Sequence, residues 1–92
     1  MVYEVLLIPK LTDSDGTGLS GQILYEEGII KLEEESTPRR QLLVLWHEVV
    51  HGIADLYGLK LDEQDVATLA TATFSAFEEN PIFAAKWLTN GD

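Results

Sequence analysis

Two histidines four positions apart are candidate metal ligands. His47 and His51 flank Glu48 in the segment His47-Glu48-Val49-Val50-His51, and they are the only two histidines in the chain. On an α-helix, residues at this spacing lie on one face, about 6 Å apart along the axis, so both imidazoles can reach one zinc ion. The glutamate after the first histidine can then act as a general base on the metal-bound water.

A third protein ligand is expected, because a catalytic zinc usually has three and a water. Asp55 continues the four-residue spacing, but it lies about 12 Å from His47 along the axis, too far for both to bind one ion. Asp55 could instead accept a hydrogen bond from a metal-binding imidazole, or simply face solvent. Glu63 is the better candidate, since a helical wheel places it on the apolar face of Val66 and Ala70. Alternatively, Glu63 has no role in metal binding, and its carboxylate is favoured at this position because a helix N-terminus stabilises a negative charge.

Strong local signals define the helix that must position the histidines. Thr37 is a typical N-cap, Pro38 suits the first helical position, and Gly58 is a typical stop, which predicts a helix over residues 38–57. Its apolar residues cover roughly two-thirds of the wheel, which predicts a central helix packed on most sides. The remaining polar stripe carries both histidines.

Strand and turn signals predict a small sheet before this helix. Met1–Ile8 is expected to be a strand, buried on both sides toward its end. Residues 12–18 have loop chemistry. Residues 21–25 and 29–33 predict a β-hairpin around a Glu-Glu-Gly turn. The acidic run at 33–35 is expected to be a solvated edge.

Two further helices are predicted after the histidine helix. Asp62 caps one that runs to about Glu79. Pro81 begins a short one that extends to Leu88, with Trp87 as a core anchor. The expected fold is α+β in a single domain of residues 1–92: a small antiparallel or mixed sheet of about three strands packed on the central helix, then one long and one short helix. The inward face of the second helix is expected to consist of Val66, Leu69, Ala70, Thr73, Phe74 and Phe77.

Composition limits the partners. The net charge is −10 and the chain has no cysteine. Nucleic acid and an anionic membrane would both repel this charge. Without cysteine, a metal must be held by histidine, aspartate or glutamate. The longest apolar run, Val5–Ile8, is far too short to span a membrane and is not flanked like a signal peptide, so a cytoplasmic protein is expected.

The histidine segment, followed by Glu63-Gln64-Asp65-Val66-Ala67-Thr68-Leu69-Ala70, resembles the zincin metallopeptidases, and most closely the ImmA/IrrE-like group of small bacterial and phage enzymes. Those have a short sheet and hairpin, an H-E-x-x-H helix, and a helix with an E-x-x-A-(N/D)-x-F-A type of motif. The resemblance covers about residues 1–80 and implies a minimal zincin fold with one Zn²⁺ per chain, held by His47, His51 and Glu63, with Glu48 as catalytic base. The residues that depart from the second motif are Val66, Ala67 and Leu69.

Three functions are compatible with these features. The first is a zinc-dependent peptidase acting on a peptide or a regulatory protein, with the substrate added as a strand to the hairpin edge. The second is a zinc-binding domain of weak or no activity that works by binding a protein partner. The third is a metal-free structural domain. Tyr25 and Tyr57 have the chemistry to stabilise an oxyanion, although the wheel turns Tyr57 away from the histidines and predicts that it packs in the core.

Overall fold

Three short strands form a mixed sheet at the start of the chain, which a computed structural model describes over residues 2–86. The strands are β1 (Glu4–Ile8), β2 (Gly21–Leu24) and β3 (Ile29–Glu33). β2 and β3 form the predicted antiparallel hairpin, and the turn ends at Gly28, whose φ of 66° lies in the left-handed region that glycine adopts cheaply. β1 pairs with β3 in parallel, which gives the order β1-β3-β2.

The prediction that β1 is buried on both sides is wrong. β1 is an edge strand, and its side chains Val5 and Leu7 are 45% and 50% exposed. They share a sheet face with their β3 partners Ile30 and Leu32, which are buried. Within the described residues, the helix that covers β2 and β3 does not pack directly on β1. An apolar strand sequence therefore indicated a need for burial, but could not show whether a second layer was available to meet it.

The connection from β1 to β2 is fixed by the end of β3. The Glu33 carboxylate accepts hydrogen bonds from the backbone N–H of Lys10 (3.0 Å) and of Leu11 (2.6 Å). Leu11 is buried, and its carbonyl accepts from the N–H of Leu19. The prediction of a solvated edge is therefore wrong for Glu33, which instead holds the loop that carries the chain back to β2.

The helix α1 (Pro38–Tyr57) begins and ends where the sequence predicted. The Thr37 side chain accepts a hydrogen bond from the N–H of Arg40, and Gly58 ends the helix in a left-handed conformation. The prediction that α1 is packed on most sides is wrong. The sheet covers one side and a second helix covers another, which leaves several large apolar side chains exposed, namely Leu42, Ile53, Leu56 and Tyr57.

The second helix, α2 (Glu63–Glu79), has a complete capping box. The Asp62 carboxylate accepts from the N–H of Asp65, and the Asp65 carboxylate accepts from the N–H of Asp62. Val66 and Ala70 are almost fully buried and pack with Val50 of α1. This part of the core therefore lies between the two helices.

The far end of the helix pair is held by aromatic contacts. The Trp46 ring meets that of Phe77 edge to face at 5.6 Å, and its Nε1–H donates to the Thr73 hydroxyl. Leu69 is exposed, so its predicted inward position is wrong. The remaining described helix, α3 (Pro81–Ala84), starts at the predicted proline. The predicted anchor Trp87 and helix end Leu88 lie outside the described residues.

The architecture is α+β, with a three-stranded mixed sheet and two main helices. No helix in the described part of the chain has the length and apolar character needed to cross a membrane. The two edges of the sheet are β1 and β2, and only β2 lies beside α1. The polar stripe of α1 is thus bordered by β2 on one side and by α2 on the other.

Candidate metal centre

The structure brings His47, His51 and Glu63 together. Nε2 of His47 lies 2.7 Å from Oε1 of Glu63, and Nε2 of His51 lies 3.0 Å from Oε2 of the same carboxylate. The two imidazole rings are 5.0 Å apart between centroids. One ligand atom from each of the three residues can be chosen so that all lie within 4.8 Å of one another. Nitrogen and oxygen donors from two helices therefore meet at one point.

The position of Glu63 depends on how the chain turns between the helices. Gly58 stops α1 in the left-handed region, and the N–H of Leu59 donates back to the carbonyl of Ala54. The capping box at Asp62 then fixes the first turn of α2, of which Glu63 is the first residue. The glutamate is thereby held beside the α1 stripe, although its side chain is 70% exposed. The centre lies at the surface and is accessible from solvent.

The donor set fits a zinc ion. Two imidazoles and one carboxylate are a ligand set of catalytic zinc sites, which leave a fourth position open. Two atoms bound to one ion at about 2.1 Å can be no more than about 4.2 Å apart. The observed spread of 4.8 Å exceeds this limit by less than 1 Å, a difference that small rotations of the exposed Glu63 side chain and the two half-buried imidazoles can close. Without metal, the 2.7 and 3.0 Å separations also allow Glu63 to pair with a protonated imidazole.

Glu48 is the single buried charged side chain among the described residues, with 9% of its surface exposed. Burial is the largest influence on its pKa and raises it. Positive charge on His51 and His47 opposes this rise, and the Glu63 carboxylate adds to it. A carboxylate placed beside a metal site and partly withdrawn from water has the position expected of a general base.

The close approach of β2 to α1 depends on Gly21. A β-carbon at this position would lie 2.5 Å from Cγ1 of Val44 and 3.5 Å from Cγ of Glu48. Only glycine allows the strand to come so near the helix, and the strand in turn covers Glu48. The sequence predicts a strand at Gly21 but no special role for this residue. A glycine inside a strand signals close backbone approach, and that signal could have identified it.

A cavity of about 310 Å³ adjoins the centre. His47 and Glu48 line it together with Ser20 and Gly21 and with mostly apolar side chains of both helices, among them Leu43 and Ala67. This cavity was not predicted from the sequence. The small residues on the inner face of α2 were the available signal, since alanines beside a second helix leave room that larger residues would fill.

The other residues that the sequence singled out, Asp55, Tyr25 and Tyr57, are not part of the ligand cluster. Asp55 is exposed, and within residues 2–86 it makes no hydrogen bond to either imidazole. Tyr25, which follows β2, has its pKa raised by burial and then by the negative charges of Asp55, Glu48 and Glu63, so its phenol lies in the field of the site. Tyr57 is 72% exposed, and the prediction that it packs in the core is wrong.

No protein-family model, curated protein or solved structure matches this chain significantly. The resemblance to zincins thus depends on the two sequence motifs alone. The arrangement of these side chains and the chemistry of their donor atoms are the structural features that bear on function.

Proposed function

We propose that this protein is a zinc-dependent metallopeptidase that hydrolyses peptide bonds. The observation that carries the proposal is the convergence of His47, His51 and Glu63 next to the buried carboxylate of Glu48. Each of the four has the residue type that its role requires: two imidazoles and one carboxylate as ligands, and a second carboxylate free to move a proton.

The ion and Glu48 would have separate roles in peptide hydrolysis. A zinc ion in this site would supply a Lewis acid for the scissile carbonyl and an activated water. Glu48 takes a proton from the attacking water onto a carboxylate oxygen and then delivers it to the leaving nitrogen. Gly21 and Val44 support this role indirectly, because β2 pressed against α1 keeps bulk water away from the carboxylate.

The substrate site is proposed to lie along β2. β2 is an edge strand of the sheet, so an extended peptide can add to it through backbone hydrogen bonds. Gly21, the first residue of β2, lines the same cavity as His47 and Glu48. A peptide paired with β2 therefore passes the centre, and the apolar walls of the cavity receive one of its side chains.

The second candidate is a zinc-binding domain of weak or no activity that acts by binding a protein partner. The observation that favours it is the exposed apolar surface on the side of α1 away from the site, where Leu56 and Tyr57 are exposed. This function requires the three ligands but not Glu48 as a base, so the two candidates differ in what a substitution of Glu48 would do.

Glu48→Gln separates the two candidates. For a peptidase, the variant should keep its zinc and lose about 10²–10⁴-fold in peptide cleavage, because the amide cannot take the proton. The assay compares cleavage of a peptide library at equal zinc content, with Glu79→Gln, at the exposed end of α2, as the matched control. Equal turnover in the Glu48→Gln variant and the parent would contradict the proposed role. A parent that binds zinc and cleaves nothing would favour the binding domain.

A further inference from the structure

The outer edge of β1 has unused hydrogen-bonding groups in the described chain. The N–H of Glu4 donates to the carbonyl of Gly28, and the carbonyl of Ile8 accepts from the N–H of Glu34. Alternate residues of a strand direct their backbone groups to opposite edges. Residues 4, 6 and 8 therefore point theirs toward β3, whereas Val5 and Leu7 point theirs away from the sheet.

The same two residues expose apolar side chains. Val5 and Leu7 lie on the sheet face that carries α1, but at the edge of the sheet, where α1 does not pack directly on the strand. Val5 lines an apolar cavity of about 290 Å³ with Leu45 and Val49 of α1. In a chain of net charge −10, Glu4 is the single charged residue of β1. An apolar edge with little charge lacks the usual protection against strand pairing.

We propose that two copies of this chain pair through β1 as antiparallel strands, related by a two-fold axis at Leu6. In this register Val5 lies opposite Leu7 of the second copy, and these two residues exchange backbone hydrogen bonds in both directions. Symmetry repeats the exchange, so four hydrogen bonds form and the two sheets join into one of six strands. The inference goes beyond the proposed catalytic function and does not depend on zinc.

The strand itself favours a second copy as the occupant. With the axis at Leu6, all five residues of β1 are paired, and the two exposed apolar residues meet each other. The two Glu4 side chains are kept apart, since each lies opposite Ile8. An axis at Leu7 would place Val5 opposite Pro9, which has no N–H to donate. An axis at Val5 would pair only three residues of the strand.

The pairing leaves the metal centre open. The strand order β1-β3-β2 puts the paired edge and the centre at opposite sides of the sheet. The free edge of β2 and the cavity beside Glu48 stay accessible in both copies. A failure of the dimer would not affect the proposed peptidase, and a loss of zinc would not affect the dimer.

A cysteine at the axis tests the register directly. The chain has no cysteine, so Leu6→Cys introduces one thiol per copy. Directly opposed residues of this non-hydrogen-bonded kind have Cα atoms about 4.5 Å apart, within the range that a disulfide spans. Glu4→Cys is the control, because the two copies of residue 4 would be about 13 Å apart. Under mild oxidation, Leu6→Cys should become a covalent dimer, and Glu4→Cys should stay largely uncrosslinked. Equal crosslinking of the two variants would overturn the proposed register.

Sedimentation of the unmodified chain tests the dimer without new thiols. The parent should sediment as a dimer, and Leu7→Lys should raise the dissociation constant at least about tenfold, since lysine on a strand edge opposes pairing. Leu59→Lys is the matched control, because Leu59 is 51% exposed, as Leu7 is 50%, but lies in the turn between α1 and α2. A parent that stays monomeric up to about 1 mM would refute the proposal. A dimer unaffected by Leu7→Lys would refute it as well.

Discussion

Gly21→Ala should destabilise the protein, because a methyl group at this position has no room. The new β-carbon would lie 2.5 Å from Cγ1 of Val44, about 0.9 Å short of an ordinary 3.4 Å contact. The valine cannot easily turn away, since one χ1 rotamer dominates for valine in a helix. Either β2 moves from α1 or the side chain is strained, and overpacking of this kind costs about 1–3 kcal/mol. For a domain of this size, a loss of about 2 kcal/mol lowers the melting temperature by roughly 8–16 °C.

A double-mutant cycle with Val44→Ala identifies the clash as the cause. Removing Cγ1 of Val44 should restore much of the stability that Gly21→Ala loses, so the two changes should couple favourably by about 1–2 kcal/mol. The assay is urea unfolding of the four proteins in the presence of a chelator, so that metal binding does not contribute. A cycle without coupling would mean that the strand and the helix are not in contact at this point.

Gly18→Ala is the matched control for the same change. A β-carbon at position 18 would have no heavy atom within 4 Å, and its backbone needs no left-handed conformation. The substitution should leave the free energy of unfolding unchanged or raise it by up to about 1 kcal/mol, because alanine lowers the conformational entropy of the unfolded chain. If Gly21→Ala is as harmless as Gly18→Ala, the close approach of β2 to α1 and Glu48 is refuted.

Two further predictions concern the surroundings of the centre. Asp62→Ala should lower the free energy of unfolding in urea by about 0.5–2 kcal/mol through loss of the helix cap, and it should weaken zinc binding because Glu63 begins the same turn. Asp15→Ala, in an exposed loop, is the control and should leave the unfolding midpoint unchanged. An unchanged midpoint for Asp62→Ala would contradict the role of the cap. In an ultraviolet titration, Tyr25 should ionise above the ordinary tyrosine pKa of 10.0, and Tyr25→Phe should remove that transition. Because the folded state favours protonated Tyr25, stability should fall as pH rises from the unfolded pKa of Tyr25 through its folded pKa. A Tyr25→Phe variant that loses its absorbance change at or below the ordinary pKa would contradict this prediction.

Local signals predicted the elements well because their causes are local. Thr37 and Gly58 bound α1 through contacts with their own neighbours, and Asp62 does the same for α2. The turn at Gly28 likewise needs only the backbone freedom of one residue. The residues of the candidate centre were also predictable from local patterns. Helix periodicity places His47 and His51 on one face of α1, and it places Glu63 on the inner face of α2.

Burial was predicted poorly because it depends on which other elements exist. The wheel of α1 showed many apolar residues, but it could not show that only the sheet and α2 are available to cover them, so Leu42 and Tyr57 remain exposed. The parallel pairing that puts β1 at an edge is equally absent from local patterns. The contact of Glu33 with Lys10 and Leu11 joins residues more than twenty positions apart, and no periodicity reports it.

The zinc content of the purified protein is a direct test of the proposed metal centre. The parent should bind one zinc per chain, Asp55→Ala should bind it equally, and His51→Ala should lose it, because only the second removes a ligand. Zinc at about 100 times its dissociation constant should stabilise the parent by about 2.7 kcal/mol, or roughly 11–22 °C in melting temperature, and a chelator should reverse the shift. A parent that binds no zinc, and whose melting temperature a chelator leaves unchanged, would contradict the metal centre.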